Sequence, residues 1–324
     1  MDPVVANSKA IIEQGSKSFA TAAKLFDPDT RANAFMLYAW CRYCDDRIDG
    51  QELGFGQNSP EPAVQLEILE ELTRQTETAM AGDPAKDPVF AGFQRVYQGC
   101  GISRRYPLEL LQGFAMDVER RNYLSLDDTL LYSYHVAGVV GAMMAAIMGV
   151  RDQPTLDRAM DLGIAFQLTN ISRDVMEDAA DGRVYLPRQW LEEAAAPIDP
   201  EDFPGAEAAL SRVVARLLDE ADKYYDSAVH GISQLPFRCA WAIATARKVY
   251  SEIGVQVRRS GELAWKHRAG TSSARKLLML LTSGITASKA TLIGRHLVIP
   301  ARQDLWTAPR MAPRMEGSDT EVVG

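Results

Sequence analysis

From Thr129 to Val150 the chain runs TLLYSYHVAGVVGAMMAAIMGV, 22 residues without an Asp, Glu, Lys or Arg. A stretch of that length and composition has two homes: the middle of a bilayer or the middle of a helical protein. Tyr132, Ser133, Tyr134 and His135 crowd its first half, and Gly138, Gly141 and Gly149 interrupt the rest. Polar groups at bilayer depth are costly unless protein buries them. The stretch therefore reads as a buried central helix, in keeping with a mean hydropathy of −0.16 for the whole chain.

A central helix needs others around it, and the pattern supplies them. Helical periodicity covers about 5–25, 28–49, 63–80, 89–99, 107–121, 127–149, 154–180, 206–231, 236–260 and 272–293. Pro28 after Asp27 is a helix-start signal. GQELGFGQNSPEP (50–62) and AAAPIDPEDFPG (194–205) read as loops from their Gly, Asn and Pro content. No run of alternating Val, Ile and Thr suggests a sheet. The expected architecture is all-α, one catalytic domain over 1–300, followed by a flexible tail over 301–324.

The 43 acids against 35 bases give a net charge of −8, and no Lys/Arg-dense run offers an electrostatic footprint for nucleic acid. Four scattered cysteines are too few for a disulfide scaffold and point to a reducing, cytoplasmic home. Cys41 and Cys44 form a lone C-x-x-C within a helix, and read as packing residues rather than a zinc or redox pair.

Chemistry concentrates in two acidic segments. CRYCDDRID carries Asp45, Asp46 and Asp49, and NISRDVMEDAADGR carries Asn170, Asp174 and Asp178. Residues four apart share a helix face, so Asp45 and Asp49 form one ladder and Asn170, Asp174 and Asp178 another. Like charges at that spacing weaken a helix by a few tenths of a kcal/mol. Two such ladders, each beside apolar helix, ask for a compensating cation. Hard oxygen donors without His or Cys select Mg²⁺ or Mn²⁺, completed by substrate phosphate oxygens. The competing reading is that each cluster is a solvated helix face. Arg42 and Arg173 accompany the ladders; Ser16, Lys17 and Ser18 sit near one end of the chain, and Lys266, His267 and Arg268 near the other. Each base could hold a diphosphate or form an ordinary surface ion pair.

YAWCRYCDDRIDG, YSYHVAGVVG and QLTNISRDVMEDAADGRVYLP, in that order and spacing, resemble the signature segments of the phytoene synthases, head-to-head prenyltransferases of the squalene/phytoene synthase type. The resemblance spans roughly residues 11–295. It implies a single-domain isoprenoid synthase bundle around a central cavity, with Asp45, Asp49, Asn170, Asp174 and Asp178 holding the metal. It implies diphosphate binding by Ser16, Lys17, Ser18, Arg42, Gln167, Asn170, Arg173, Lys266 and Arg268, with Tyr132 and Tyr185 in the catalytic set. At the last pair the family often has an aromatic followed by Val-Ser-Lys, whereas this chain reads AGTSS. The implied reaction joins two geranylgeranyl diphosphates through prephytoene diphosphate to phytoene, without NADPH.

Such chemistry needs an apolar cavity closed to water and aromatic faces for a carbocation. Phe19, Tyr38, Tyr132 and Tyr250 are candidates for the faces. Val136, Ala137, Val140, Met143 and Met144, with Ala20 and Ala23, either line the prenyl cavity or pack as ordinary core. Rival readings are a C15-using squalene or dehydrosqualene synthase, a terpene cyclase or head-to-tail prenyltransferase, and a non-catalytic helical assembly factor. Arg295, Arg302, Arg310 and Arg314 are interleaved with Leu297, Val298, Ile299, Leu305, Trp306 and Met311, which fits either a loose tail or peripheral contact with an anionic membrane surface.

Overall fold

The structure is a computed structural model and describes residues 2–15, 22–51, 60–266, 269–270, 272–293 and 300–308. Ser16, Lys17, Ser18, Phe19, Ala20 and Arg268 lie outside those residues. Among the described residues there is no strand. The helices are α1 (Pro3–Gly15), α2 (Pro28–Asp49), α3 (Pro62–Ala81), α4 (Pro88–Cys100), α5 (Arg105–Val118), α6 (Leu126–Ser133), α7 (Val139–Ile147), α8 (Gln153–Ala180), α9 (Arg188–Glu193), α10 (Glu207–Ile232), α11 (Phe237–Ser260) and α12 (Ser273–Ile293). A π-helical turn, Tyr134–Gly138, joins α6 to α7.

Local chemistry sets most of the boundaries. Asp27 caps α2 by accepting from the backbone N–H groups of Asp29 and Thr30 at 3.1 and 3.0 Å, and Pro28 occupies the first turn, where no N–H partner is required. Asp87 with Pro88 repeats the device at α4. Ser125 and Asp128 form a reciprocal capping box at α6. Gly50, Gly82 and Gly101 end α2, α3 and α4 in the left-handed conformation that glycine adopts without a Cβ penalty. The first helix is described over Pro3–Gly15, and residues 16–21 of the stretch expected to be helical to 25 lie outside the described residues; α9 went unread because six residues are too few to show a period.

The uncharged stretch is a central element. The span Leu126–Ile147 is long and apolar enough to cross a membrane, but two thirds of it is buried inside the protein. The π turn and α7 lie against α8, which also packs along α10 and α11. Glycine makes the closest approach possible. A Cβ on Gly163 would sit 2.2 Å from the carbonyl oxygen of Ala137, and one on Gly141 would sit 2.2 Å from that of Ala159. The obstruction is backbone, which no rotamer change relieves. Gly163→Ala is therefore expected to cost about 1–3 kcal/mol, the range for overpacking, and thermal denaturation should show a Tm lower by several degrees.

The segment after Pro300 departs from the expected flexible tail over residues 301–308. Arg302 donates Nε and Nη2 to the two carboxylate oxygens of Asp161 at 3.0 and 2.6 Å. Asp161 is fully buried, and Ser227 Oγ donates to it. Arg158 donates to Ser227 Oγ at 2.5 Å and to the Pro300 carbonyl. Trp306 reaches Tyr134, with ring centroids 6.0 Å apart. A buried carboxylate requires a paired cation; Arg302 is the close one, and Arg158 Nη1 lies 3.9 Å from the same carboxylate. Residues 309–324 lie outside the described set.

Candidate active site

A cavity of about 890 Å³ runs beside α8, within the volume range of sites that enclose small molecules. On α8 its lining residues are Thr155, Arg158, Ala159, Leu162, Gly163, Phe166, Gln167 and Asn170. At 1.5 Å per residue they cover about 22 Å of helix. The middle is apolar, with Leu110 and Phe114 from α5, Val136, Ala137, Val140 and Met144 from the central element, and Val249 and Tyr250 from α11. Phe166 and Tyr250 stack at 4.2 Å between centroids.

Of the residues expected to line the cavity, Tyr38, Val136, Ala137, Val140, Met144 and Tyr250 do so. Ala23 and Met143 do not. Both are fully buried in the core, and Ala22 takes the lining place on the N-terminal side. The π turn explains part of this. A spacing of four overshoots a 3.6-residue turn, and the wider π turn takes up the excess, so Tyr132, Val136, Val140 and Met144 keep one heading. Met143 is left facing the core.

Polar residues gather at one end, where Arg42, Asp45, Asp117, Tyr132, Gln167 and Asn170 line the wall. Arg42 pairs with Asp45 at 3.0 Å and with Asp46 at 2.8 Å. Arg173 binds Asp174 through both nitrogens, with Nε at 2.7 Å. Arg183 reaches from beyond α8 to Asp49 at 2.5 Å. Burial pushes the Asp45 carboxyl up to about 7 against the opposing pull of Arg42, and pushes Asp178 up to about 8, with Asp174 adding repulsion. Buried carboxyls pushed up in this way, close to one another, mark a candidate functional site.

Two members of the cluster escaped the sequence reading. Asp117, at the end of α5, accepts from Tyr132 Oη at 2.9 Å and Tyr185 Oη at 2.8 Å. The two rings stack at 4.6 Å. Burial raises the Asp117 carboxyl to about 6, with Arg183 opposing. Asp117 lies within electrostatic reach of Asp45 and Asp49 on α2 and of Asp178 on α8, and so sits between the ladders. Arg183, the second, is the cation shared by Asp49 and Asp117. The available signal was the stripe Leu110–Phe114–Asp117, an acid closing an apolar face. Lys266, expected on the diphosphate, is exposed after α11 and does not line the cavity.

The donor set fits a hard divalent cation. Among the described residues no three His, Cys, Asp or Glu converge as a ready cage; the donors on offer are Asp carboxylates and the Asn170 amide oxygen, the type that hard divalent cations take. Asn170 Oδ1 is buried without a hydrogen-bond partner on the lining. It is an acceptor short of a donor or a metal, one turn before Asp174. Cys41 lines the cavity as a free thiol pushed up to about 12 by burial, and Cys44 is buried and free; neither behaves as a thiolate ligand.

The model of the squalene/phytoene synthases matches residues 12–276. The chain belongs to the squalene/phytoene synthase family. It is accordingly a prenyltransferase, of a family that works on prenyl diphosphates with divalent metal ions. A phytoene synthase of Pseudescherichia vulneris is 49% identical over 311 residues, covering 95% of this chain and 98% of the relative. A 15-cis-phytoene synthase of Pantoea ananas is 51% identical over 296 residues, covering 91% and 94%. Among solved structures, a dehydrosqualene synthase in complex with ligand superposes with a TM-score of 0.77 at 25% identity, over 88% of this chain and 97% of that one. A squalene synthase from Alicyclobacillus acidocaldarius, at a TM-score of 0.70 and 24% identity over 80% and 94%, shares the fold. The all-helical architecture expected from the sequence is therefore the family's own.

Proposed function

We propose that this synthase makes phytoene, joining two geranylgeranyl diphosphates head to head through prephytoene diphosphate. The observation that carries the reading is one cavity with a long apolar body and a carboxylate- and arginine-rich end. Near-complete coverage by relatives named phytoene synthases supports it.

In the first half-reaction one substrate loses diphosphate, and its allylic cation is attacked by the C2–C3 double bond of the other. Proton loss closes the cyclopropane. In the second, the remaining diphosphate leaves, the cation rearranges, and loss of a further proton gives the hydrocarbon, so no reductant is consumed. Departing diphosphate gathers negative charge, which Arg42 on the cavity wall, with Arg173 and Arg183 beside the acidic ladders, would meet. Mg²⁺, or Mn²⁺, held by Asp45, Asp49, Asn170, Asp174 and Asp178, would supply further charge neutralisation. Tyr38, Phe166 and Tyr250 present faces to the cation, each worth about 0.5–2 kcal/mol, while the apolar walls keep water away. Asp117, held between Tyr132 and Tyr185, is a proton acceptor at the junction of the polar end and the apolar body.

Purified protein supplied with Mg²⁺ and geranylgeranyl diphosphate, without NADPH, is expected to release phytoene and inorganic diphosphate. Mass spectrometry of the extracted hydrocarbon checks it. A C30 product from farnesyl diphosphate in place of phytoene, or no hydrocarbon from either substrate, would overturn the assignment.

A further inference from the structure

Among the described residues, the outward face of α12 is apolar and uncovered. Leu277, Leu278, Leu281, Ile285 and Leu292 are 58–75% exposed. At 3.6 residues per turn they fall within one arc of about 100°. Four of them lie away from the cavity, while Leu277 and Leu280 of the same helix line it. The inward side is fixed to the bundle, with Trp241 Nε1 donating to the Leu280 carbonyl at 2.7 Å and Met279, Ser283 and Ala287 buried.

Charge says what covers this face. From Leu263 to Gln303 the sequence has no Asp or Glu, yet it carries Lys266, Arg268, Arg275, Lys276, Lys289, Arg295 and Arg302, in a chain whose net charge is −8. Lys289 is exposed and falls at the edge of the apolar arc. Arg302 is consumed internally by Asp161 and Arg275 pairs with Glu252 at 2.6 Å, so the attraction does not come from every base in the segment. A second copy packed here would set this base-rich, acid-free segment against itself. An anionic surface would not, and one with a hydrocarbon interior would also accept the leucines.

We infer that α12 docks the protein on an anionic phospholipid bilayer, lying in the interface through Leu278, Leu281 and Ile285, beside the wall of the prenyl cavity. The inference rests on the reading of that cavity as a prenyl site. It places membrane contact on α12 rather than on the segment after Ile299, where Arg302 and Trp306 are already used inside the protein. A lipophilic product leaving past Leu277 and Leu280 would then meet acyl chains before water.

The test is co-sedimentation of the full chain with vesicles of phosphatidylcholine alone or mixed with phosphatidylglycerol, in the absence of substrate. The parent is expected to bind the mixed vesicles preferentially, with the preference lost at high salt. The triple variant Leu278→Ser, Leu281→Ser, Ile285→Ser is expected to bind about tenfold or more weakly, because a leucine-sized side chain is worth on the order of tenfold in partition. These residues do not line the cavity, so turnover of detergent-dispersed substrate should hold. Lys289→Glu should lower the preference for anionic vesicles several-fold and leave binding to neutral ones unchanged. Equal binding by parent and triple variant would overturn the inference. So would a parent that ignores both kinds of vesicle, or a parent dimer in light scattering that the triple variant turns into a monomer. Because no substrate is present, vesicle binding stands or falls separately from phytoene formation.

Discussion

Asp174→Asn is expected to lower turnover by about 10³-fold, with the helical circular-dichroism spectrum and the melting temperature close to those of the parent. Removing one preorganised electrostatic contact at a site of developing charge costs about 10²–10³ in rate. The charge lost here belongs to a ladder proposed to hold a metal ion, which puts the effect at the upper end. Asn keeps the volume and can still accept from Arg173, whose Nε lies 2.7 Å from the carboxylate. The fold should therefore survive. A metal titration separates the explanations. If Asp174 ligates, the variant should need far more Mg²⁺ for half-maximal residual activity. If Asp174 only steers Arg173, the Mg²⁺ requirement should stay where it was and the KM for diphosphate substrate should rise. Parent-like turnover would remove Asp174 from the active site altogether.

The difference between Asp174 and Asp117 shows how far a sequence can be read. Asp174 and Asp178 announce themselves because four-residue spacing on a helix is local geometry. The same holds for the boundaries of α2 and α4, where an Asp, a Pro and a terminal Gly each act within a turn of their own position. Asp117 draws its meaning from Tyr132 and Tyr185, 15 and 68 positions away. Arg183 draws its own from Asp49 across 134 positions. Pairings of that kind exist only once helices are packed. The π turn is similar, since its register shift follows from how the central element meets α8. The sequence stripe from Val136 to Met144 left wall and core open, and only the packed helices put Val136, Val140 and Met144 on the cavity and Met143 in the core. The docked segment after Pro300 was missed because Arg302 has no local partner; it binds Asp161, 141 positions earlier.

Asp117→Asn should separate activity from stability, lowering turnover by about 10²-fold while leaving the melting temperature equal or higher. In the parent, Asp117 is a buried carboxylate whose two oxygens each accept a tyrosine hydroxyl, and burial already pushes it up to about 6. A charge in that position costs desolvation that its neighbours only partly repay. The amide removes this cost and keeps one acceptor. It also presents two N–H donors where Tyr132 or Tyr185 offers a donor, so one of the stacked rings must turn its hydroxyl elsewhere. Arg183 loses one of its two carboxylate neighbours but keeps Asp49 at 2.5 Å, so no cation is stranded and the packing has no reason to loosen. The chemistry does suffer. The negative charge linking the two ladders is gone, along with the proton acceptor at the junction. Rate and melting curves on one preparation check the split. A variant that melts well below the parent would make Asp117 a structural carboxylate. One with full activity would show that the ladders on α2 and α8 work without it.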